Sequence, residues 1–103
     1  MKKILLVEDN EDDITLTLKA FEKGKLDNDV VVLRDGQEAL DYLFSEGEYA
    51  GEKHDVPALM MLDLNMPRGG GLEVLDGIKE NAIFRLMPVV ILITSDEVNA
   101  VRK

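Results

Sequence analysis

Cysteine is absent from the chain, which excludes a disulfide framework and any thiolate metal site. Basic residues are scarce beside acidic ones, twelve against twenty-one, and the net charge is −9. Such a chain repels nucleic acid and anionic membrane, and no helix-turn-helix or basic face is visible, so neither is expected as a direct partner. Three prolines and eight glycines are too few for a collagen-like or disordered chain. No apolar run approaches a membrane span, and the first, Ile4 to Val7, is too short for the core of a signal peptide. What is present is 46% hydrophobic residues in 103 positions, enough for the core of one small domain, residues 1–103, with room for no second. A soluble, cytoplasmic protein is expected.

Four apolar runs stand out: Ile4–Val7, Val30–Leu33, Ala58–Leu62 and Val89–Ile93. None alternates with polar residues, so each reads as a strand covered on both faces, as in a parallel sheet. Helical patterns lie between them. Ile14, Leu18 and Phe21 share one face, with Asp12 or Asp13 placed to cap the start and Gly24 to end it. Ala39, Leu40, Leu43 and Phe44 form a second stripe; Leu72, Leu75 and Ile78, supported by Val74, form a third. The polar stretch from Ser45 to Pro57 reads as a surface loop. Strand and helix therefore alternate, which predicts a doubly wound α/β fold with right-handed crossovers.

In such a sheet, ligands gather at the carboxyl ends of the strands. Glu8, Asp9 and Asn10 follow the first run, Asp63, Leu64 and Asn65 the third, and Thr94 and Ser95 the fourth. If the first and third strands are neighbours, Glu8, Asp9 and Asp63 converge. Taken alone, Glu8 and Asp9 would be explained as capping the first helix, and Asp63 as a turn residue. Together they form a crowded set of carboxylates that raise one another's pKa unless a cation lies among them. Oxygen ligands without histidine or cysteine favour a hard ion, and magnesium, which keeps waters, fits best. Beside such an ion, Asp63 is placed to act as a nucleophile toward phosphorus.

The strings Ile4–Asn10, Leu62–Pro67, Gly71–Leu75 and Pro88–Val90 resemble the receiver domains of CheY-like response regulators over the whole chain. The Gly47-Glu48-Tyr49 loop and the approach Arg85–Pro88 are similar to the stand-alone receivers associated with bacterial phytochromes. The resemblance implies a flavodoxin-like/CheY-like fold and a two-component signalling role. It makes Asp63 the acceptor of a phosphoryl group from a phosphohistidine on a sensor histidine kinase, possessing at most weak self-phosphorylation and dephosphorylation rather than true enzyme activity. It also makes Asp9 a direct Mg2+ ligand, Glu8 a ligand acting through water, Asn65 a ligand through its backbone carbonyl, and Pro67 and Gly71 the residues that shape the adjoining loop. His54, in the polar loop, is expected to be solvent-exposed and no relay.

The chain departs from that family in three ways. In the family's usual pattern Ile93 falls where a switch Ser or Thr belongs, and Thr94 comes one residue later. Either a bulge returns Thr94 to the site or the phosphate loses this contact, because a one-residue shift turns the side chain to the other face. The phosphate-binding lysine has no counterpart, Lys103 standing in a helical context, and the fifth strand and fifth helix are lacking. The loop also reads Arg68-Gly69-Gly70 in place of a bulkier residue and an acid, which loosens it. A sheet ending this way is expected to form a homo-oligomer, paired or domain-swapped through residues 89–103. The alternative to the signalling role is a truncated or pseudo-receiver that folds and self-associates without switching. A phosphohydrolase of the haloacid dehalogenase type is disfavoured, since Asn65 stands where that chemistry needs a second aspartate.

Overall fold

The computed structural model describes residues 2–53, 55–66 and 70–92. The apolar runs form strands β1 (Ile4–Val7), β2 (Val30–Leu33), β3 (Leu59–Asp63) and β4 (Val89–Leu92), separated by helices α1 (Glu11–Lys23), α2 (Gly36–Phe44) and α3 (Gly71–Glu80). All pairings are parallel, and the order across the sheet is β2-β1-β3-β4. The step from β1 to β2 runs one way across the sheet, and the steps to β3 and β4 run the other. Right-handed connections therefore put α1 on one face and α2 and α3 on the opposite one. The reversal leaves a crevice between the carboxyl ends of β1 and β3, and that crevice positions the site.

The larger core lies under α2 and α3. Leu5, Val7, Leu33, Met60 and Leu62 of the sheet pack there with Ala39, Tyr42 and Leu43 of α2 and Val74 and Ile78 of α3. Ile4 and Leu6 alternate to the other face, where α1 contributes the buried Ile14. Of the three residues expected to line α1, Ile14 is buried, Phe21 is half-buried and Leu18 is exposed. In α3 the buried positions are Gly71, Val74 and Ile78, with Leu75 half-buried; Leu72, expected inside, is 66% exposed. Expecting every strand to be covered on both faces also needs correction. β1 is buried throughout, but Val90 and Ile91 of β4 are 46% and 39% exposed, because β4 has a neighbouring strand only on its β3 side among the described residues.

Local chemistry accounts for the helix ends. Asn10, not Asp12 or Asp13, caps α1: its backbone is extended and its side chain accepts the Asp13 N–H at 3.0 Å. The acids Glu11, Asp12 and Asp13 then occupy the first turn and Lys23 the last, complementing the helix dipole. Gly24 ends α1 as expected, although the left-handed residue is the next one, Lys25, at φ 57°. The stretch after α2 is less free than a surface loop. It contains a 3-10 turn at Gly47–Tyr49, and Tyr49 stands edge-on to the buried Tyr42 with ring centres 5.2 Å apart. The Tyr49 hydroxyl donates to Glu38 Oε2 at 2.9 Å. No helix among the described residues is long and apolar enough to cross a membrane.

Candidate functional site

Two strand ends build the site. Val7 pairs with Leu62, so Glu8 and Asp63, the last residue of β3, each come one residue past that pair and share one side of the sheet. Glu8 is still tied to the sheet, its N–H bonding the Leu33 carbonyl at 2.9 Å. Asp9 follows it into the crevice. Oxygen atoms from Glu8, Asp9 and Asp63 all lie within 4.8 Å of one another, a spacing that one cation could bridge. Glu8 and Asp63 are 2% and 1% exposed, the only charged side chains so buried among the described residues, and Asp9 is half-buried at the mouth.

Short backbone turns fix the carboxylates. The Asn10 N–H donates to Glu8 Oε1 at 3.0 Å, and the Asn65 N–H donates to Asp63 Oδ1 at 2.8 Å. Each acid therefore accepts from the residue two positions later, which holds one oxygen and leaves the other oriented by its neighbours. Burial pushes the Glu8 carboxyl up to about 7; a hydrogen bond with Asp63 and the charges of Asp63 and Asp13 act the same way, against the lowering effect of the Asn10 N–H. The buried acids thus carry an electrostatic cost that a divalent cation would relieve. Their donor set, all oxygen, suits a hard ion such as magnesium.

The sequence-predicted residues fall into three groups. Glu8, Asp9 and Asp63 are brought together, and Asn65 sits on the loop beside Asp63 with its N–H bonded to that carboxylate. Gly71 starts α3 and packs against Leu64. His54, Pro67, Thr94 and Lys103 lie outside the described residues, as does the part of the proposed exchange segment from 93 to 103.

Sequence reasoning overlooked the support around the crevice. Asp35 caps α2 by accepting the Glu38 N–H at 2.8 Å, and Glu38 Oε1 reaches back to the Arg34 N–H at 2.8 Å. This is a capping box displaced by one residue, and the spacing Asp35-x-x-Glu38 was its readable sign. Arg34 also forms an ion pair with Glu11 at the start of α1, joining the ends of two elements that flank the site. No sequence pattern announces that pair, since its members are 23 residues apart.

Comparison with known proteins identifies the family and the fold. Residues 4–103 match the family model described as the response regulator receiver domain. The response regulator Rcp1 of Synechocystis sp. (strain ATCC 27184 / PCC 6803 / Kazusa) is 43% identical over 94 residues, which span 91% of this chain and 63% of Rcp1. A solved Mn(2+)-bound form of response regulator Rcp1 superposes with a TM-score of 0.78 at 38% identity, over 97% of this chain and 73% of that one. The bacteriophytochrome response regulator RtBRR gives 0.86 at 46% identity, over 99% of this chain and 61% of its own. The phosphorylated cyanobacterial phytochrome response regulator RcpA gives 0.76 at 44%, over 95% and 71%. This chain thus spans somewhat less than two thirds of the length of the Synechocystis Rcp1 sequence and of the RtBRR structure, and 73% and 71% of the other two structures. The match along nearly all of its length, on the same parallel sheet, shows that the chain belongs to the response regulator receiver domain family.

Proposed function

We propose that this chain accepts a phosphoryl group on Asp63 from a phosphohistidine of a sensor histidine kinase, in a magnesium-dependent reaction. The observation that carries this reading is the convergence of Glu8, Asp9 and Asp63 at the point where the sheet's connections reverse. An oxygen of the Asp63 carboxylate attacks phosphorus; the phosphorus–nitrogen bond breaks, its electron pair stays with the imidazole, and an acyl phosphate remains on Asp63. Asp9, Asp63, the Asn65 carbonyl and, through water, Glu8 would hold magnesium, which would supply positive charge against the carboxylates and the incoming phosphoryl oxygens. The Asn65 N–H keeps one Asp63 oxygen fixed, and burial keeps bulk water from that carboxylate. The Mn(2+)-bound form of Rcp1 supports a divalent ion as part of this reading, and the phosphorylated state of RcpA supports the group transfer.

Relatives named for phytochromes support a phytochrome-like kinase as the partner. Catalysis by the chain itself is limited to weak self-phosphorylation and dephosphorylation; it is a cytoplasmic signalling domain and no enzyme with turnover. Self-association along β4 belongs to the same reading, supported by the exposure of Val90 and Ile91; a monodisperse monomer by light scattering at high concentration rejects it. Acetyl phosphate with magnesium tests the phosphoacceptor. Intact mass should rise by one phosphoryl group, and the rise should vanish in Asp63→Asn and on chelation. No rise in the unaltered chain would leave the pseudo-receiver, a folded interaction module without phosphorylation.

A further inference from the structure

Two glycines bring backbone against backbone where α2 meets the start of α3, and a third packs the start of α3 on Leu64. A Cβ built on Gly36, the first residue of α2, would lie 2.6 Å from the carbonyl oxygen of Gly70 and 2.7 Å from its Cα. These are main-chain atoms and cannot swing aside as the end of a side chain can. Gly70 caps α3 at φ 97°, a left-handed conformation, and a Cβ there would stand 2.9 Å from the Gly36 Cα. Gly71 continues the stack: its Cβ would meet Leu64 Cδ2 at 2.8 Å, Leu64 Cα at 3.3 Å and the Asp63 carbonyl oxygen at 3.5 Å. The Gly70 carbonyl that faces Gly36 also accepts the Val74 N–H at 2.9 Å, so the first turn of α3 shares the contact. On the other side, the Asp35–Glu38 capping bonds, together with the bonds from Glu38 to the Arg34 N–H and the Tyr49 hydroxyl, hold the first turn of α2 in place.

We propose that Gly36 is a positioning residue for the site: the first turn of α2 is a backbone buttress that sets where Gly70 and Gly71 lie and, through the packing of Gly71 on Leu64 and the Asp63 carbonyl, where Asn65 stands relative to Glu8 and Asp9. The proposal rests on reading that cluster as the magnesium-dependent phosphoacceptor. Helix propensity alone would favour alanine over glycine in α2. The contact reverses that expectation, because the added methyl must displace either Gly70 or the helix. Movement of α2, by a partner or by a mutation, would then be felt at Asp63 without any side chain crossing between them.

The variant Gly36→Ala tests this, with Gly77→Ala as its control. A Cβ at Gly77 also enters the α2–α3 interface, but it meets the flexible end of Leu40 at 3.0 Å and not the backbone of Gly70. In metal-free protein, Gly36→Ala should shift the backbone amide resonances of Leu64, Asn65 and Gly70, and calorimetry should show magnesium bound roughly ten-fold more weakly. Gly77→Ala should leave both readouts as in the unaltered chain. A folded Gly36→Ala protein with unmoved Leu64 and Asn65 amides, or with unchanged magnesium affinity, overturns the proposal. Should Gly36→Ala fail to fold, a magnesium titration of the unaltered chain decides. A Gly36 amide that moves with the same midpoint as that of Asn65 supports the buttress, and a stationary one overturns it. An unaltered chain that binds no magnesium instead rejects the phosphoacceptor reading, and the metal-free amide shifts then judge the buttress by themselves.

Discussion

β1 and β4 are built from nearly interchangeable stretches, Ile-Leu-Leu-Val and Val-Val-Ile-Leu, yet one is sealed on both faces while the other exposes its two middle residues. The difference lies in position and not in hydrophobicity. β1 has β2 and β3 on its two sides, α1 over one face and the α2–α3 core over the other, whereas β4 borders β3 alone among the described residues. Because β1 is sealed, the residue that leaves it, Glu8, stays buried and its carboxyl is pushed up to about 7. A short apolar run thus establishes that a strand exists, and its neighbours establish what chemistry its end can support.

The comparison breaks most sharply under truncation of the strands. Leu6→Ala should cost about 2–5 kcal/mol in urea unfolding, the range for a fully buried leucine, and Val90→Ala well under half of that, since much of its side chain already meets solvent. Equal losses would mean that β4 is as enclosed as β1.

Glu8→Gln sharpens it next. Below pH 4.5 the carboxyl is protonated in both folded and unfolded chains; between 4.5 and about 7 the folded chain keeps a proton that the unfolded chain has released. The stability of the metal-free protein therefore falls as pH rises through that window, and Glu8→Gln should flatten the fall, leaving the variant more stable at pH 8 by about 1–3 kcal/mol. Magnesium should reverse the ranking, because it favours the charged form, and its binding should strengthen as pH rises toward 7. Urea midpoints between pH 4 and 8, with chelator and with magnesium, check both halves.

Smaller effects belong to the turns around the β1 end. Asn10→Ala removes the cap that directs the chain out of β1 into α1 and should cost about 1 kcal/mol by thermal unfolding. Arg34→Ala should cost no more than about 0.5 kcal/mol, since the Arg34–Glu11 pair is largely in solvent, and the loss should shrink further in high salt.

Much of this was legible in the chain. The unbroken apolar runs marked parallel strands, their alternation with amphipathic stretches marked the winding, and the acids directly after two of the runs marked the mouth of the sheet. Leu72 and Leu18 were misplaced because spacing selects a set of compatible positions on a helix and the packing surface selects among them. The cap at Asn10 was missed because Asp12 and Asp13 are equally good capping residues in isolation; only the point where β1 stops makes Asn10 the extended one. The Gly36–Gly70 contact had no sequence signal at all, since a glycine does not declare which backbone will approach it.

By itself, then, the order of residues settled the period of each element, the absence of thiol chemistry and the acids at the ends of two strands, because these depend on neighbours along the chain. The tertiary structure alone decided that β3 lies against β1, that Glu8 is buried beside Asp63, and that the start of α2 rests on Gly70. Those outcomes depend on which surfaces meet after the sheet reverses direction, and burial, pKa and backbone contact come into being only at that meeting.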